Sequence, residues 1–332
     1  MKPFPKIPTC PQRFLITGAA GFIGSHTTDA LIQEGYQVLG VDDLSTGRAQ
    51  NLKSALSSGQ FELRSHDLLE PDFLDDTVAD WKPDVIIHLA GLVSVIMGQD
   101  KPARNFQLNI ESTKVVVEAA RKHGVGRIVF ASSAAVYGNP DELPLRENDP
   151  KDPASNYGAA KLMSEMLLMS YSKSYGITTI SNRYFNVFGP RQDPASPYSG
   201  VISIFADRFE NDEQVTVFGD GRQSRDFISV FDIARGNVLA ATHPDVPSGA
   251  YNLCTGRRQT LIDLIQQLQI RYPGARTPNF TTERSGEIRH SLGSPEKARS
   301  YLGFEAKVEF GHGIAEMLTP VESPEPAQIA AA

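Results

Sequence analysis

The chain has 332 residues, 40% of them hydrophobic, and a formal net charge of −7, enough to bury one large core or two closely packed domains. The acidic balance, with no Lys/Arg cluster, argues against a nucleic-acid partner, and no run reaches the roughly 20 apolar residues of a membrane span. Two cysteines, Cys10 and Cys254, form no disulfide framework, and the seven histidines show no zinc-like spacing, so the expectation is a cytoplasmic protein without a metal site.

Arg13 to Thr17 is an apolar run that predicts a buried strand. It leads into Gly18, Gly21 and Gly24, which open an apolar-periodic stretch, 22–34, predicted as a helix starting at Phe22 and Ile23. Strand, glycine turn and helix N-terminus together make a pyrophosphate site. The first glycine allows the tight turn, the second lets the backbone approach phosphate, and the third lets helix and strand pack closely. The next predicted strand, 37–41, ends in Asp42-Asp43, about 20 residues past the glycines. A carboxylate there can accept hydrogen bonds from both adenosine ribose hydroxyls and repel a 2′-phosphate, which favours NAD over NADP; a simple strand-end turn is the alternative.

Further strands are predicted at 61–65, 84–89, 127–131 and 178–182, and helices at 71–79, 102–123 and 155–174. Near-continuous Val/Ile/Leu strands separated by helices predict a doubly wound parallel α/β sheet covered on both faces. His88, inside the fourth strand, reads as structural. Past residue 186, Gly189, Pro190, Pro194, Pro197 and Gly200 mark a loop-rich entry to a smaller mixed α/β region. Its strands are expected near 215–218, 226–229 and 251–254, and its helices near 201–210, 231–242, 260–271 and 294–302. The division is a cofactor domain over 1–185 with a chain return near 230–255, a mainly substrate-binding domain over 186–318, and a disordered Pro/Glu/Ala-rich tail over 319–332.

Tyr157 and Lys161 stand four residues apart on one face of the helix 155–174. A free phenol ionises near pH ~10 and is a poor base at neutral pH. A neighbouring ammonium and a positive nicotinamide both favour the phenolate, so Tyr157 is expected to have a lowered pKa and to act as a base. The strand 127–131 runs into Ser132-Ser133, at the carboxyl end of the sheet where ligands bind in such folds. A serine hydroxyl there can bridge a substrate oxygen and the phenol; a helix cap is the other use of such a pair.

These motifs, in this order, make the chain resemble an extended short-chain dehydrogenase/reductase of the UDP-hexose 4-epimerase branch, over roughly residues 12–318. Matching stretches are Thr17 to Gly24, Asp42 to Gly47, His66-Asp67-Leu68, His88 to Gly91, Asn109, Ser132 to Gly138 and Tyr157 to Lys161. They continue with Arg183 to Pro190, Phe218 to Gly221 and Arg225-Asp226-Phe227. The resemblance implies a Rossmann sheet, NAD as a catalytic cofactor and a UDP-sugar substrate. Cofactor contacts would come from Gly18, Gly21, Phe22, Ile23, Gly24, Asp42, Asp43, Leu44, Ser45, Thr46 and Gly47. Asp67, Leu68, Leu89, Ala90, Gly91, Asn109, Ser132, Tyr157, Lys161 and Tyr184 would complete that set. Substrate contacts would come from Ser133, Tyr157, Asn186, Val201, Val217, Arg225, Arg284 and Ser291, with the two arginines on the diphosphate.

Relatives that dehydrate or decarboxylate nucleotide sugars carry an acidic residue just after the strand-end hydroxyl, where this chain has Ala134-Ala135. Without that acid, the implied reaction is oxidation at C4 and hydride return to the turned-over 4-keto sugar. A bulky tyrosine at the Ser291 position goes with relatives restricted to glucose and galactose, so Ser291 implies room for an N-acetyl group. Val93 stands where some relatives have a lysine on the nicotinamide side. Arg191 has two readings, a contact to a C6 carboxylate or an ion pair with a nearby aspartate. Other functions left open are UDP-glucuronate epimerisation, net oxidation of a nucleotide sugar, and a non-catalytic NAD-sensing protein. The resemblance also implies a homodimer built from the helices 102–123 and 155–174. Val115, Val116, Leu162, Met166 and Met169 would lie on their outer faces or, alternatively, against the sheet.

Overall fold

The structure, a computed structural model, describes residues 12–193, 200–283 and 288–319. Strands and helices alternate from the start: β1 (Arg13–Thr17), α1 (Phe22–Gln33), β2 (Gln37–Val41), α2 (Lys53–Ser57), β3 (Phe61–Arg64), α3 (Phe73–Trp81) and β4 (Val85–His88). Three helical pieces follow, α4 (Val95–Asp100), α5 (Pro102–Phe106) and α6 (Ser112–His123), then β5 (Arg127–Ser133), α7 (Asn156–Tyr175) and β6 (Thr178–Tyr184). The remainder is β7 (Asn186–Phe188), α8 (Val201–Glu210), β8 (Thr216–Phe218), β9 (Ser224–Arg225), β10 (Phe227–Ser229) and α9 (Val230–Thr242). It ends with β11 (Gly249–Leu253), β12 (Gln259–Thr260), α10 (Leu261–Arg271), β13 (Asn279–Thr281), α11 (Glu296–Leu302) and α12 (Phe310–Met317).

Seven strands form one sheet in the order β11-β6-β5-β4-β1-β2-β3, with every neighbouring pair parallel. Both faces are buried, which is why the strands read as unbroken apolar runs. Phe14, Ile16, Val38, Ile87, Val129 and Ile180 pack on the α1/α9 side with Ile233 and Leu253. Leu15, Leu39, Ile86, Ile128 and Phe130 pack on the opposite side with residues of α3, α6 and α7. The strand order reverses between β1 and β4, and ligands of such sheets bind in the crevice at that point, beyond the carboxyl ends of the strands. A third apolar cluster, with Ile202, Phe205, Val217, Phe227, Leu264 and Leu268, holds the C-terminal elements α8, α10 and α12 together.

Two departures from the sequence expectation matter for the site. The stretch 102–123 is not one α-helix: a π-turn over Gln107–Glu111 separates α5 from α6. Within it the Asn109 side-chain amide donates to the Leu92 carbonyl at 3.1 Å and to the Asn105 carbonyl at 3.2 Å. The short α4 is the second departure, capped by the Ser94 hydroxyl on the Met97 N–H and cut from α5 by Pro102. Of the expected tail, 320–332 lies outside the described residues.

Candidate active site

At the mouth of β1, Gly18 has φ +72°, and a β-carbon there would meet the Ala90 nitrogen at 2.7 Å. A β-carbon on Gly24 would sit 1.9 Å from the Gly18 carbonyl oxygen. The turn therefore presses against both its own helix and the β4 loop, leaving no room for side chains. Gly21 is the N-cap of α1, with no side-chain cap and no acidic residue in the first turn. The leading N–H groups, those of Phe22 and Ile23 among them, have no partner within the helix, and the helix dipole adds partial positive charge there. This cradle fits a pyrophosphate.

The acidic pair divides its work. Asp42 is buried and takes the Ala20 and Leu44 N–H groups, both at 2.9 Å, which knits the end of β2 to the glycine turn. Burial pushes its carboxyl above the ordinary range, against the pull of those N–H bonds. Asp43 is exposed and accepts from the Ser45 amide at 3.0 Å and hydroxyl at 2.7 Å. Gly47 lies against the Asp42 carboxylate, Ser45 and Thr46 are exposed, and Leu44 is partly buried. Farther along the edge, Leu68 is buried, and Asp67 accepts from the Leu69 N–H at 2.9 Å. On the other side of β1, Leu89-Ala90-Gly91 leaves β4, pinned by the Ala90 N–H to the Thr17 hydroxyl at 3.2 Å. Gly91 abuts the Asn109 side-chain oxygen, which is buried and has no donor. The cradle, the carboxylate at the end of β2 and this unfilled acceptor fit a dinucleotide lying across the switch point.

Tyr157, in the first turn of α7, is buried, and the Ser133 hydroxyl at the end of β5 hydrogen-bonds its phenol. Ser133 also accepts the Ala135 N–H at 3.1 Å, so the bridging and the capping use of this serine coexist. Lys161 stands one turn on, equally buried, and burial alone brings its ammonium down from 10.5 to about 7. The expected lowering of the Tyr157 pKa is not a property of the protein by itself. Burial pushes the phenol up, the Ser133 bond opposes this, and Lys161 exerts no resolved pull. Any downward shift has to come from a bound positive charge.

Ser132 points away from Ser133, and its hydroxyl donates to Glu165 at 2.5 Å. Glu165 in turn pairs with buried Arg183, at 2.9 and 2.7 Å through Nε and Nη2, while Arg183 Nη1 donates to the Tyr137 hydroxyl at 2.9 Å. No local sequence pattern announces this support behind the Ser133 strand end. The Tyr184 hydroxyl donates to Asn237 at 2.7 Å, so this side chain is likewise spent within the core. His88 is structural as read, bonded to Thr17 at 2.7 Å and to Thr113 at 3.3 Å. A groove of about 580 Å³ between α7 and the β6–β11 edge, lined in part by Glu147, Lys173 and Lys297, lies at the far half of α7 from Tyr157.

The substrate candidates are distributed unevenly. Asn186 is exposed at the start of β7, and Val201 is half-buried at the start of α8. Val217 is fully buried in the third apolar cluster, so its side chain is core and only its backbone can face a ligand. Arg225 donates to the Ser224 and Arg289 carbonyls at 2.9 and 3.3 Å. Ser291 is half-buried beside it, its N–H bonded to the Ser224 carbonyl at 3.0 Å. Arg284 lies outside the described residues. Arg191 pairs with Asp29 of α1 at 2.7 Å, the aspartate reading of the two. Val93 is exposed.

A glycine-cradled dinucleotide site at the switch point, with a Ser-Tyr-Lys set beside it, defines a Rossmann-type enzyme that uses a nicotinamide cofactor. The chain belongs to the NAD dependent epimerase/dehydratase family, which matches residues 14–254. It is 37% identical over 309 residues to a UDP-glucose 4-epimerase of Mycolicibacterium smegmatis, covering 92% of this chain and 97% of that one. Among solved structures it is similar to a UDP-glucose 4-epimerase of Thermotoga maritima, crystallised with UDP-glucose. That likeness has a TM-score of 0.87 at 34% identity and covers 92% and 97% of the two chains. A UDP-N-acetylglucosamine 4-epimerase of Methanobrevibacter ruminantium, in complex with UDP-N-acetylmuramic acid, matches with the same TM-score and identity over 93% and 97%.

Proposed function

We propose that this chain is a UDP-sugar 4-epimerase that works with NAD as a non-consumed cofactor. The observation that carries the reading is the buried Tyr157, hydrogen-bonded to Ser133 with Lys161 one turn on, in a site whose strand end continues as Ala134-Ala135 and supplies no carboxylate. Gly18, Gly21 and Gly24 with the N–H groups of Phe22 and Ile23 hold the pyrophosphate. Asp42 takes the adenosine ribose, with Asp43 to Gly47 around it, and Asp67-Leu68 borders the adenine. Leu89 to Gly91, Asn109, Tyr157 and Lys161 line the nicotinamide end. Bound NAD supplies a hydride acceptor, and afterwards the donor, for the sugar C4. Tyr157, as the phenolate, takes the O4 proton while O4 becomes the carbonyl oxygen. Ser133 orients O4 toward the phenolate, and the Lys161 ammonium supports the ionised form of Tyr157 before the transfer. Arg225, with Arg284, anchors the diphosphate, so the sugar alone can turn and present the other face of its C4 carbonyl for hydride return, while Tyr157 gives the proton back to O4. An alanine pair at the strand end leaves no group to expel water or carbon dioxide, which disfavours the dehydratase and decarboxylase chemistries.

The test is product analysis by NMR after separate incubation with UDP-Gal, UDP-GalNAc and UDP-GlcA and only trace NAD. C4 epimers without accumulating NADH are expected. With NAD then supplied in excess, NADH accumulating one for one with an oxidised sugar would instead make the protein a net oxidoreductase, and inertness toward all three would remove the epimerase reading. Ser291 is assigned to the pocket for the C2 substituent. Ser291→Tyr is expected to cut turnover of UDP-GalNAc by roughly 10–100-fold while UDP-Gal stays within a few-fold of wild type. Comparable losses on both sugars would detach Ser291 from C2 recognition.

The working form is proposed to be a cytoplasmic homodimer joined through α4 and α7. These helices pack together and expose Ile96 (65%), Met163 (48%) and Met166 (66%), whereas Val116 is fully buried in the sheet-facing core. Light scattering behind size exclusion should report a dimer for wild type and a monomer for the Met163→Glu, Met166→Glu pair. A dimer that survives both charges would place the interface elsewhere.

A further inference from the structure

Lys161 presents an unusual electrostatic problem. Its ammonium is buried, and among the described residues no carboxylate lies within ion-pair distance. Nζ instead stands 4.8 Å from the ring centroid of Phe130 and 5.9 Å from that of Tyr157. Phe130 is itself buried in β5, three residues before Ser133, and the imidazole of His88 lies alongside it, centroids 5.7 Å apart and 32° from parallel. His88 is fixed in turn by Thr17 and Thr113, so the pair of rings cannot swing away from the lysine.

We propose that Phe130 is a positioning residue for the reaction, its π face seating the Lys161 ammonium and helping to keep it protonated where solvent and counter-charge are absent. The face of an aromatic ring carries negative quadrupole density, and a desolvated cation within about 6 Å of it gains most from that field. The other titratable groups around Lys161 do not replace it. Tyr157 is neutral on the same helix, and Glu165, one turn farther on, is committed to Arg183 and Ser132. From β4 comes His88, which burial and the lysine charge hold neutral, its pKa down to about 3. The π-turn contributes the uncharged Asn109. A neutral imidazole is what such a seat needs, because an imidazolium would oppose the ammonium.

The inference rests on the proposed role of Lys161 at the nicotinamide end, and its test uses NAD binding alone, so failure of the sugar chemistry would not be mistaken for its failure. The background is Tyr157→Phe, which removes the tyrosine's own NAD-linked ionisation from the same pH range. In it Phe130 is replaced by phenylalanines carrying one, two and three ring fluorines, which retain shape while draining the π face, and NAD affinity is titrated against pH. Affinity should weaken as pH rises through the Lys161 midpoint. That midpoint should move down in step with fluorine number, by roughly half a pH unit to one unit for the trifluoro ring. Phe130→Leu, if it folds, should shift it at least as far. A midpoint that stays fixed across the series, with melting temperatures equal, would overturn the proposal and leave Phe130 as core packing.

Discussion

Tyr157→Phe is expected to lower kcat by roughly 10³-fold while NAD binding and the KM for the UDP-sugar change little, because removal of a positioned acid–base group typically costs 10²–10⁴-fold. The replacement keeps the ring in its buried slot and deletes only the oxygen that Ser133 reaches. Ser133 keeps its second bond, to the Ala135 N–H, so the strand end should hold its shape. Even with Lys161 beside it, burial pushes the phenol up, so a further positive charge, that of a bound nicotinamide, is needed for the base to form at neutral pH. The cofactor thus activates its own base. In wild type, ultraviolet difference spectra should show tyrosinate appearing near neutral pH with NAD⁺ bound and disappearing when NADH replaces it; Tyr157→Phe should lose that signal. Activity that persists in the variant, measured by NMR of the C4 epimer, would take the proton-transfer role away from Tyr157.

Arg183→Met should cost about 3–5 kcal/mol of folding stability, the usual result of stripping one partner from a buried ion pair. Arg183 closes two bonds on Glu165, a third on the Tyr137 hydroxyl and a fourth, at 3.2 Å, on the Glu147 carbonyl. Its removal strands the Glu165 carboxylate in the core with only Ser132 as a donor. A buried carboxylate left without its counter-charge costs more ionised than neutral, so protonation should relieve part of the penalty and the loss should be smaller in acid. Urea melts at pH 8 and pH 5.5 compare the two regimes. The double variant Arg183→Met, Glu165→Leu should recover most of the loss, since an apolar pair of similar volume can substitute for a buried ion pair. An undiminished loss at the lower pH, or a double variant no better than the single one, would mean that shape rather than charge explains the site.

The sheet was largely legible in the sequence because its strands are buried on both faces and flanked by glycine turns. All seven strands fall within two residues of their expected runs, but the last, β11, was expected in the smaller region and instead pairs with β6 at the edge of the main sheet. The π-turn was not, since it spans only Gln107–Glu111, and an apolar period is read over a window about two to three times that length. The two-residue strands β9 and β12 have no period to detect. At the site, Tyr157, Lys161 and Ser133 stand out through local spacing. Glu165 and Arg183 belong to different elements, and Phe130 looks like any other core aromatic until the lysine is found above it. Val217, expected to touch the substrate, has a completely buried side chain, which leaves only its backbone for such a contact.

The edge strand β11 constrains how this chain can be built at all. It pairs with β6 in parallel register from Gly249↔Ile180 to Leu253↔Tyr184, across an intervening stretch that holds α8 and α9. On a ribosome delivering the chain N-terminus first, the cofactor half would wait with β6 paired only to β5 until residue 253 emerged, its outer edge open to other chains. A fragment ending at 185 would carry that vulnerability permanently and would also lack the α9 helix that covers one face. The two halves are therefore one unit of biosynthesis, and dissecting them at the loop after β6 should yield aggregate rather than a free-standing cofactor module.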